Sequence, residues 1–180
     1  FPTRRSSDLM AIFFIADTHF DDDNIRRYEN RPFENTAQMN EAMIRNWNRT
    51  VTPSDIVYFL GDVGADSYVA RLNGIKYLVK GNHDTASNDH YREIGFAEVY
   101  DLPVIYNSYW ILSHEPLYIN RNMPYANIFG HVHANPAYRD VSSRSYCVSA
   151  ERIAYTPVSL ERIQAAILEA QKREDASDFQ

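Results

Sequence analysis

The residues with the means to do chemistry gather in five short polar blocks, each directly behind an apolar run. Asp17-Thr18-His19 follows IFFIA, and Gly61-Asp62 follows IVYFL. Gly81-Asn82-His83-Asp84 follows IKYLVK, Ser113-His114 follows YWIL, and Gly130-His131-Val132-His133 follows the IF of residues 128–129. Five of the six histidines of the chain lie in these blocks, which is a concentration that random placement rarely produces.

The gathered side chains offer carboxylate, amide and imidazole ligands and no sulfur. They are Asp17, His19, Asp62, Asn82, His83, Asp84, His114, His131 and His133. Such a set suits Mn, Fe, Zn, Ni or Co rather than a structural zinc site. Two imidazoles spaced i and i+2 in an extended chain point to the same face, where they could hold one metal ion or two neighbouring ones. Two transition metal ions about 4 Å apart, bridged by one aspartate, are a recurrent arrangement for in-line attack of hydroxide at phosphorus.

The elements that must position these blocks are strands separated by helices. The apolar runs are short and rich in β-branched and aromatic residues, as buried strands are. In βαβ units, ligands gather at the carboxyl ends of the strands, so all five blocks are expected at one rim. The predicted helices span residues 36–49 behind the N-cap Asn35, 160–172 behind Ser159, and more weakly 67–73 and 88–94; a hairpin is predicted around Asn107-Ser108.

In their order, DTH, GD, GNHD, SH and GHVH are similar to the motifs of the calcineurin-like metallophosphoesterase superfamily, and the small bacterial and phage type in particular. The resemblance covers nearly all of residues 11–160. It implies an α/β fold, a four-layer α/β/β/α sandwich of two mixed sheets, with the active site at the strand carboxyl ends. It also implies two divalent transition metal ions: the first on Asp17, His19 and His133, the second on Asn82, His114 and His131, with Asp62 bridging.

The same resemblance assigns the residues of the GNHD block that follow Asn82. His83 would contact the scissile phosphate and protonate the leaving oxygen. Asp84 would orient the imidazole of His83, although a helix N-cap or an ordinary turn residue explains it equally well. His83 and Asp84 are therefore the predicted catalytic residues.

The chain also departs from part of the superfamily. Its phosphoprotein phosphatases carry an Asp-Arg pair shortly after GD, where this chain has Ala65 and Asp66. Without that arginine a protein phosphatase is not expected, and a singly charged phosphodiester is favoured over a dianionic monoester. Arg26, Arg27 and Arg31 either line the substrate entrance or belong to a solvated loop with salt bridges, which is the more common explanation for such a run.

The predicted function is hydrolysis of phosphate esters, most readily diesters, by in-line attack of a metal-bridging hydroxide with His83 as general acid. Two alternatives stay open: a non-catalytic metal-binding interaction scaffold on the same fold, and a nuclease that acts on short nucleic acids. The presence of His83 and of every ligand favours the enzyme. The expected partner is a small phosphate ester.

Composition and charge set further limits. The chain of 180 residues is 44% hydrophobic, which is typical of one globular domain, and its apolar runs are too short to span a bilayer. A net charge of −6 argues against a protein that coats nucleic acid, so nucleic acid is expected only as a substrate. The single cysteine, Cys147, predicts a reducing, cytoplasmic compartment. Residues 1–9 are predicted to be a non-native or disordered leader, 10–172 one domain and 173–180 a frayed tail; the oligomeric state is left open.

Overall fold

The predicted apolar runs form the strands of two sheets in the structure, a computed structural model that describes residues 10–138 and 142–177. The strands of the described residues are β1 (Ile12–Ile15), β2 (Ile56–Phe59), β3 (Ile75–Val79), β4 (Phe96–Tyr100), β5 (Val104–Tyr106), β6 (Trp110–Leu112), β7 (Ala126–Phe129), β8 (Ser145–Cys147) and β9 (Val158–Ser159). The α-helices there are α1 (Asp23–Tyr28), α2 (Thr36–Thr50), α3 (Asn88–Glu93) and α4 (Leu160–Ser177).

The first sheet has the strand order β4-β3-β2-β1-β9, in which β1 to β4 are parallel and β9 is antiparallel to β1. Parallel strands end at the same edge of a sheet, so the polar residues behind β1, β2 and β3 emerge side by side. Asp17, Asp62 and Asn82 are each within three residues of such an end.

The second sheet has the order β5-β6-β7-β8 and brings in the remaining two blocks. β5 and β6 form the predicted antiparallel hairpin, in which Asn107 and Ser108 adopt φ angles of 50° and 55°, as the two central residues of a type I′ turn do. β6, β7 and β8 run parallel, so His114 behind β6 and His131 behind β7 reach the same rim.

The two sheets pack face to face around one apolar layer, and a second layer lies under the helices. Phe14 of the first sheet and Leu60, directly after β2, meet Leu112 and Ile128 of the second sheet, and Ile163 of α4 joins them. On the outer face of the first sheet, α2 contributes buried side chains to a separate cluster, namely Met39, Met43, Ile44 and Trp47. The predicted α/β sandwich of two mixed sheets is confirmed.

The helix predictions agree with the structure in most places. α2 begins behind Asn35, whose side chain accepts a hydrogen bond of 2.8 Å from the backbone N–H of Gln38. The helix predicted at 67–73 is a 3₁₀ turn at Asp66–Arg71, and α1 was not predicted. α4 continues to Ser177, beyond the predicted end at 172, and in this last part of the helix Glu174 pairs with Ser143 and Arg121.

Some predictions on the chain ends cannot be compared with the structure. The leader predicted at residues 1–9 and residues 178–180 of the predicted tail lie outside the described residues. Within the described residues, no helix combines the length and the apolar character needed to cross a membrane.

Candidate metal centre

The loops behind the strands hold their polar residues in a backbone conformation that few residues adopt. Among the seven predicted metal ligands, five have positive φ angles between 45° and 70°, which is the left-handed region: Asp17, His19, Asp62, His131 and His133. Each such non-glycine residue costs on the order of 1 kcal/mol or more and persists only where its surroundings impose it. The sharp turns aim these side chains at one place beyond the strand ends.

The first predicted ligand set comes together in the interior. Ligand atoms of Asp17, His19 and His133 lie within 4.8 Å of one another. Asp17 is fully buried and His19 is 2% exposed. Asp17 also receives a hydrogen bond of 2.8 Å from the backbone N–H of His131 on its Oδ2 atom, which ties the β1 loop to the β7 loop.

The second predicted set converges more tightly. Asn82 Oδ1 lies 3.0 Å from His114 Nε2 and 3.1 Å from His131 Nδ1, and those two nitrogens are 3.1 Å apart. The other ring nitrogen of His114, Nδ1, lies 2.8 Å from the backbone carbonyl oxygen of Leu60. Only a protonated Nδ1 can donate to that carbonyl oxygen, so Nε2 of His114 keeps its lone pair free for a metal ion.

Asp62 lies between the two sets. Its Oδ2 atom is 3.4 Å from His19 Nε2 in the first set and 3.5 Å from His114 Nε2 in the second. Its Oδ1 atom accepts a hydrogen bond of 2.9 Å from the backbone N–H of His83. One carboxylate oxygen therefore faces both groups of ligands while the other holds the neighbouring loop.

Burial and the neighbouring imidazoles together set the pKa values of the carboxylates in this cluster. Burial raises the pKa of Asp17 even though His133 and His114 oppose the shift. Burial also acts to raise the pKa of Asp62, but the neighbouring imidazoles of His19 and His114 outweigh it and lower the pKa to about 2. Asp17 Oδ1 and His19 Nε2 are buried without a hydrogen-bond partner among the described residues. Buried polar atoms of this kind are costly unless something binds them, and divalent metal ions fit the oxygen and nitrogen donors present.

Two glycines let the loops approach this closely. A Cβ atom on Gly81 would lie 2.2 Å from Asp62 Oδ1, and one on Gly130 would lie 2.3 Å from the Cβ atom of Ala16. Non-bonded heavy atoms do not approach a Cβ atom this closely, so any side chain at these positions would separate the loops that carry the ligands.

His83 and Asp84, the predicted catalytic residues, lie beside the cluster in different environments. The exposed imidazole of His83 is edge-on to the ring of His19, with centroids 5.2 Å apart. Asp84 is buried and, instead of facing the His83 ring, accepts backbone N–H groups of Asp62 at 2.7 Å, Gly81 at 2.8 Å and Val63 at 3.1 Å. Asp84 therefore joins the β2 loop to the β3 loop.

The three arginines predicted near the substrate entrance occupy three different environments. Arg26 donates to Asp23 Oδ1 at 2.7 Å and to the carbonyl oxygen of Phe33 at 2.9 Å. Arg27 is exposed and pairs with Asp23 at 2.6 Å. Arg31 is buried, with a fully enclosed side chain that points to the interior behind the metal ligands.

The structure adds one residue to the site that the sequence did not suggest. The side chain of Glu151 is 5% exposed, and its Oε1 atom lies 3.1 Å from His133 Nδ1 and 2.7 Å from Arg31. Burial acts to raise the pKa of Glu151, but the hydrogen bond from His133 and the charge of Arg31 lower it overall. Its position 18 residues after His133 follows no motif, so no local signal in a single sequence could have found it.

An α/β sandwich of two mixed sheets with an Asp/His cluster at the strand ends is the arrangement expected of a metal-dependent phosphoesterase. The sequence profile of the calcineurin-like phosphoesterases matches residues 10–165. The chain belongs to this family.

Two further proteins are similar to this chain. It is 38% identical over 169 residues to the uncharacterized protein MJ1445 of Methanocaldococcus jannaschii. The alignment covers 86% of this chain and 90% of that protein. The crystal structure of AQ665 from Aquifex aeolicus, a protein of unknown function, superposes with a TM-score of 0.68 over 87% of this chain and 99% of the other. At 24% identity, this second likeness concerns the fold.

Proposed function

We propose that this phosphoesterase works with two divalent transition metal ions and that its substrates are phosphodiesters. The observation that carries the proposal is the position of Asp62 Oδ2, 3.4 Å from a nitrogen of one ligand set and 3.5 Å from a nitrogen of the other. A carboxylate oxygen placed in this way would be able to contact a metal ion in each ligand set.

The residues divide between the two ions as the family resemblance implies. Asp17, His19 and His133 would hold one ion, Asn82, His114 and His131 the other, and Asp62 would contact both. When bound, the two ions neutralise phosphate charge and supply the nucleophile for in-line displacement at phosphorus. Mn, Fe, Zn, Ni and Co all suit these ligands.

His83 supplies the proton in this proposal. Its ring is exposed beside the cluster, and its backbone N–H is anchored on Asp62 Oδ1, so the imidazole is held next to the bridging residue. From there Nδ1 or Nε2 can donate to the departing ester oxygen, which otherwise leaves as a strongly basic alkoxide. Asp84 contributes by fixing the backbone of the loop that carries His83.

The charges around the cluster support a singly charged substrate. A cleft of about 440 Å³ opens beside the ligands His131 and His133, and the described residues that line it include the carboxylates of Glu29 and Glu115 but no lysine or arginine. Arg26, Arg27 and Arg31 already pair with carboxylates. A monoester dianion would meet repulsion here, whereas a diester brings one charge, which the metal ions can balance.

The shape beside the cluster also suits a diester. A second cleft of about 300 Å³ has a lining that includes Asn82, His114 and Lys80, whose ammonium group pairs with Asp101 at 3.1 Å. Glu115 borders both clefts. Two adjoining clefts offer separate space for the two ester groups of a diester. A monoester would leave one of them empty.

The test compares bis-p-nitrophenyl phosphate with p-nitrophenyl phosphate on protein loaded with Mn²⁺. We expect a higher kcat/KM for the diester, two metal ions per chain by elemental analysis, and loss of turnover on chelation. A higher kcat/KM for the monoester would contradict the substrate class. At most one metal ion per chain after saturation would contradict the dinuclear centre, and metal binding without any turnover would favour the scaffold alternative.

A further inference from the structure

Behind the first ligand set lies a pair of enclosed, charged side chains, Glu151 and Arg31, and neither of them is a predicted metal ligand. The side chain of Glu151 is 5% exposed and that of Arg31 is fully enclosed. Glu151 Oε1 is 3.1 Å from His133 Nδ1, 2.8 Å from Arg31 Nε and 2.7 Å from an Arg31 terminal nitrogen. A single carboxylate oxygen thus joins a predicted metal ligand to a buried guanidinium group.

Every part of the Arg31 guanidinium has an acceptor within the described residues. Besides Glu151, it donates to the carbonyl oxygen of Asp17 at 2.6 Å and to that of Thr18 at 2.7 Å, and it contacts Met39 Sδ at 3.5 Å. The two carbonyls belong to the left-handed turn that presents Asp17 and His19. Arg31 therefore clamps that turn to Glu151.

The contact with Glu151 also selects the tautomer of His133. A carboxylate accepts hydrogen bonds, so Nδ1 of His133 must carry the proton and Nε2 keeps the lone pair that a metal ion needs. The same contact fixes the rotation of the ring. In this way Glu151 acts on the metal through His133.

We propose that Glu151 and Arg31 are a positioning pair for the first metal ion. Glu151 orients His133, and Arg31 holds Glu151 and the Asp17–Thr18 backbone. The three ligands of that site are therefore already in position before the ion binds. This inference rests on the proposed dinuclear centre and adds two positioning residues to it.

Stability alone is a poor explanation for this pair. Taking two charges out of water costs about as much as their attraction returns, and replacing a buried ion pair by apolar residues is often neutral or stabilising. Glu151 Oε2 is moreover buried with no hydrogen-bond partner among the described residues. Orientation of the neighbouring metal ligand His133 explains the presence of this pair better than stability does.

The first experiment is calorimetric titration of metal-free protein with Mn²⁺ for wild type, Glu151→Ala and Glu151→Gln. We expect Glu151→Ala to weaken one of the two sites by about 10- to 100-fold and to leave the other within about twofold. Glu151→Gln keeps an oxygen acceptor for His133 and should fall between. Glu41→Gln is the matched control, because Glu41 forms an exposed bidentate pair with Arg71 at 2.7 and 2.9 Å.

The second experiment separates positioning from folding. Because Glu151→Ala leaves Arg31 buried without its partner, it also destabilises the fold. The double variant Arg31→Met, Glu151→Met removes both charges and is expected to recover part of the thermal midpoint lost in Glu151→Ala but not the affinity of the first site. The recovery is partial because the carbonyl groups of Asp17 and Thr18 lose their donor. Recovery of both, or equal weakening of both sites in Glu151→Ala, would overturn the proposal.

A third measurement uses the wild-type protein and no variant of the pair. Nitrogen-15 NMR of the metal-free protein, with the His133 signal identified by its loss in His133→Gln, should show the Nδ1–H tautomer. An Nε2–H tautomer would overturn the positioning role. If wild-type protein binds no Mn²⁺ at all, the proposed function fails together with this inference. If it binds two ions with affinities that Glu151→Ala does not change, only the inference is contradicted.

Discussion

At the scale of single residues, Asp62 is the point where the two ligand sets meet. Its Oδ2 atom faces both His19 and His114. Replacement by Asn removes the charge that two cations share, so Asp62→Asn is expected to weaken both metal sites by about 10-fold or more each. Metal titration followed by elemental analysis measures this.

Asp66→Asn is the control for Asp62→Asn. Asp66 lies four residues further on, at the surface, and its carboxylate pairs with His90 at 2.8 Å. The control should bind metal as the wild type does. If Asp62→Asn weakened only one site, Asp62 would belong to one metal ion and would not bridge.

His83 is the residue whose predicted role can be separated from metal binding. Its ring contacts none of the ligand atoms by hydrogen bond among the described residues, so His83→Ala should keep two metal ions per chain. General acid catalysis is worth about 10²- to 10⁴-fold, and most of it is needed when the leaving group is basic. The measurement is kcat/KM for a series of aryl and alkyl diesters of increasing leaving-group pKa.

The slope of that series decides the role of His83. We expect the loss in His83→Ala to grow with leaving-group pKa and to be small for p-nitrophenolate, with His90→Ala unchanged throughout. A loss of the same size for every ester would assign His83 to holding the phosphate.

At the scale of elements, the centre depends on loops that approach each other more closely than side chains allow. Gly81, behind β3, has the Asp62 Oδ1 atom 2.2 Å and the Asp62 backbone nitrogen 2.7 Å from where a Cβ would be. Gly81→Ala must push the β2 and β3 loops apart, which costs about 1 to 3 kcal/mol as overpacking does. Because Asp62 moves with its loop, metal affinity should fall at both sites, as titration would show.

Gly95→Ala serves as the matched control for that substitution. Gly95 precedes β4 with φ of +121°, and the nearest atom to an added Cβ is Val69 Cγ1 at 3.7 Å. It should lower the free energy of unfolding by about 1 kcal/mol through backbone strain alone and keep both metal ions. Loss of metal in the control, or normal binding in Gly81→Ala, would contradict the close-approach argument.

At the scale of the whole molecule, Tyr58 reports on the layer between the two sheets. Its ring stacks on Phe14 and Tyr77 of the first sheet and tilts against Tyr106 of the second, with centroids 5.2 to 5.7 Å apart. Burial and, to a lesser degree, the neighbouring tyrosines raise the pKa of Tyr58 to about 12. The folded state therefore favours the neutral phenol.

This shift predicts a loss of stability at alkaline pH. The pKa of an unfolded tyrosine is about 10, so the contribution of Tyr58 is complete below that pH and disappears as the pH rises towards 12. Urea unfolding at pH 8, 10 and 11 should show a smaller decline for Tyr58→Phe than for wild type. Tyr118→Phe, at an exposed ring, should follow the wild type, and identical declines in all three proteins would contradict the prediction.

The sequence by itself determined the sheets, the main helix and the grouping of the polar blocks. Those features depend on neighbours in the chain: β-branched runs favour strands, Asn35 caps α2, and parallel strands end at one edge. The rim where Asp17, Asp62 and Asn82 meet follows from that local order. The family motifs then named the ligands.

Only the tertiary structure decided what surrounds those ligands. In the sequence, Arg31 looked like an arginine of an exposed loop, and Glu151 belonged to no motif. The two residues are 120 positions apart in the chain, yet Arg31 Nε lies 2.8 Å from Glu151 Oε1. The left-handed turns at Asp17 and His133 are likewise set by the surrounding fold, because Asp and His adopt positive φ angles more often than most residues but still do so only in a minority of cases. Local pattern carries no information on such contacts, because burying a charge is unfavourable until folding brings its partner to it.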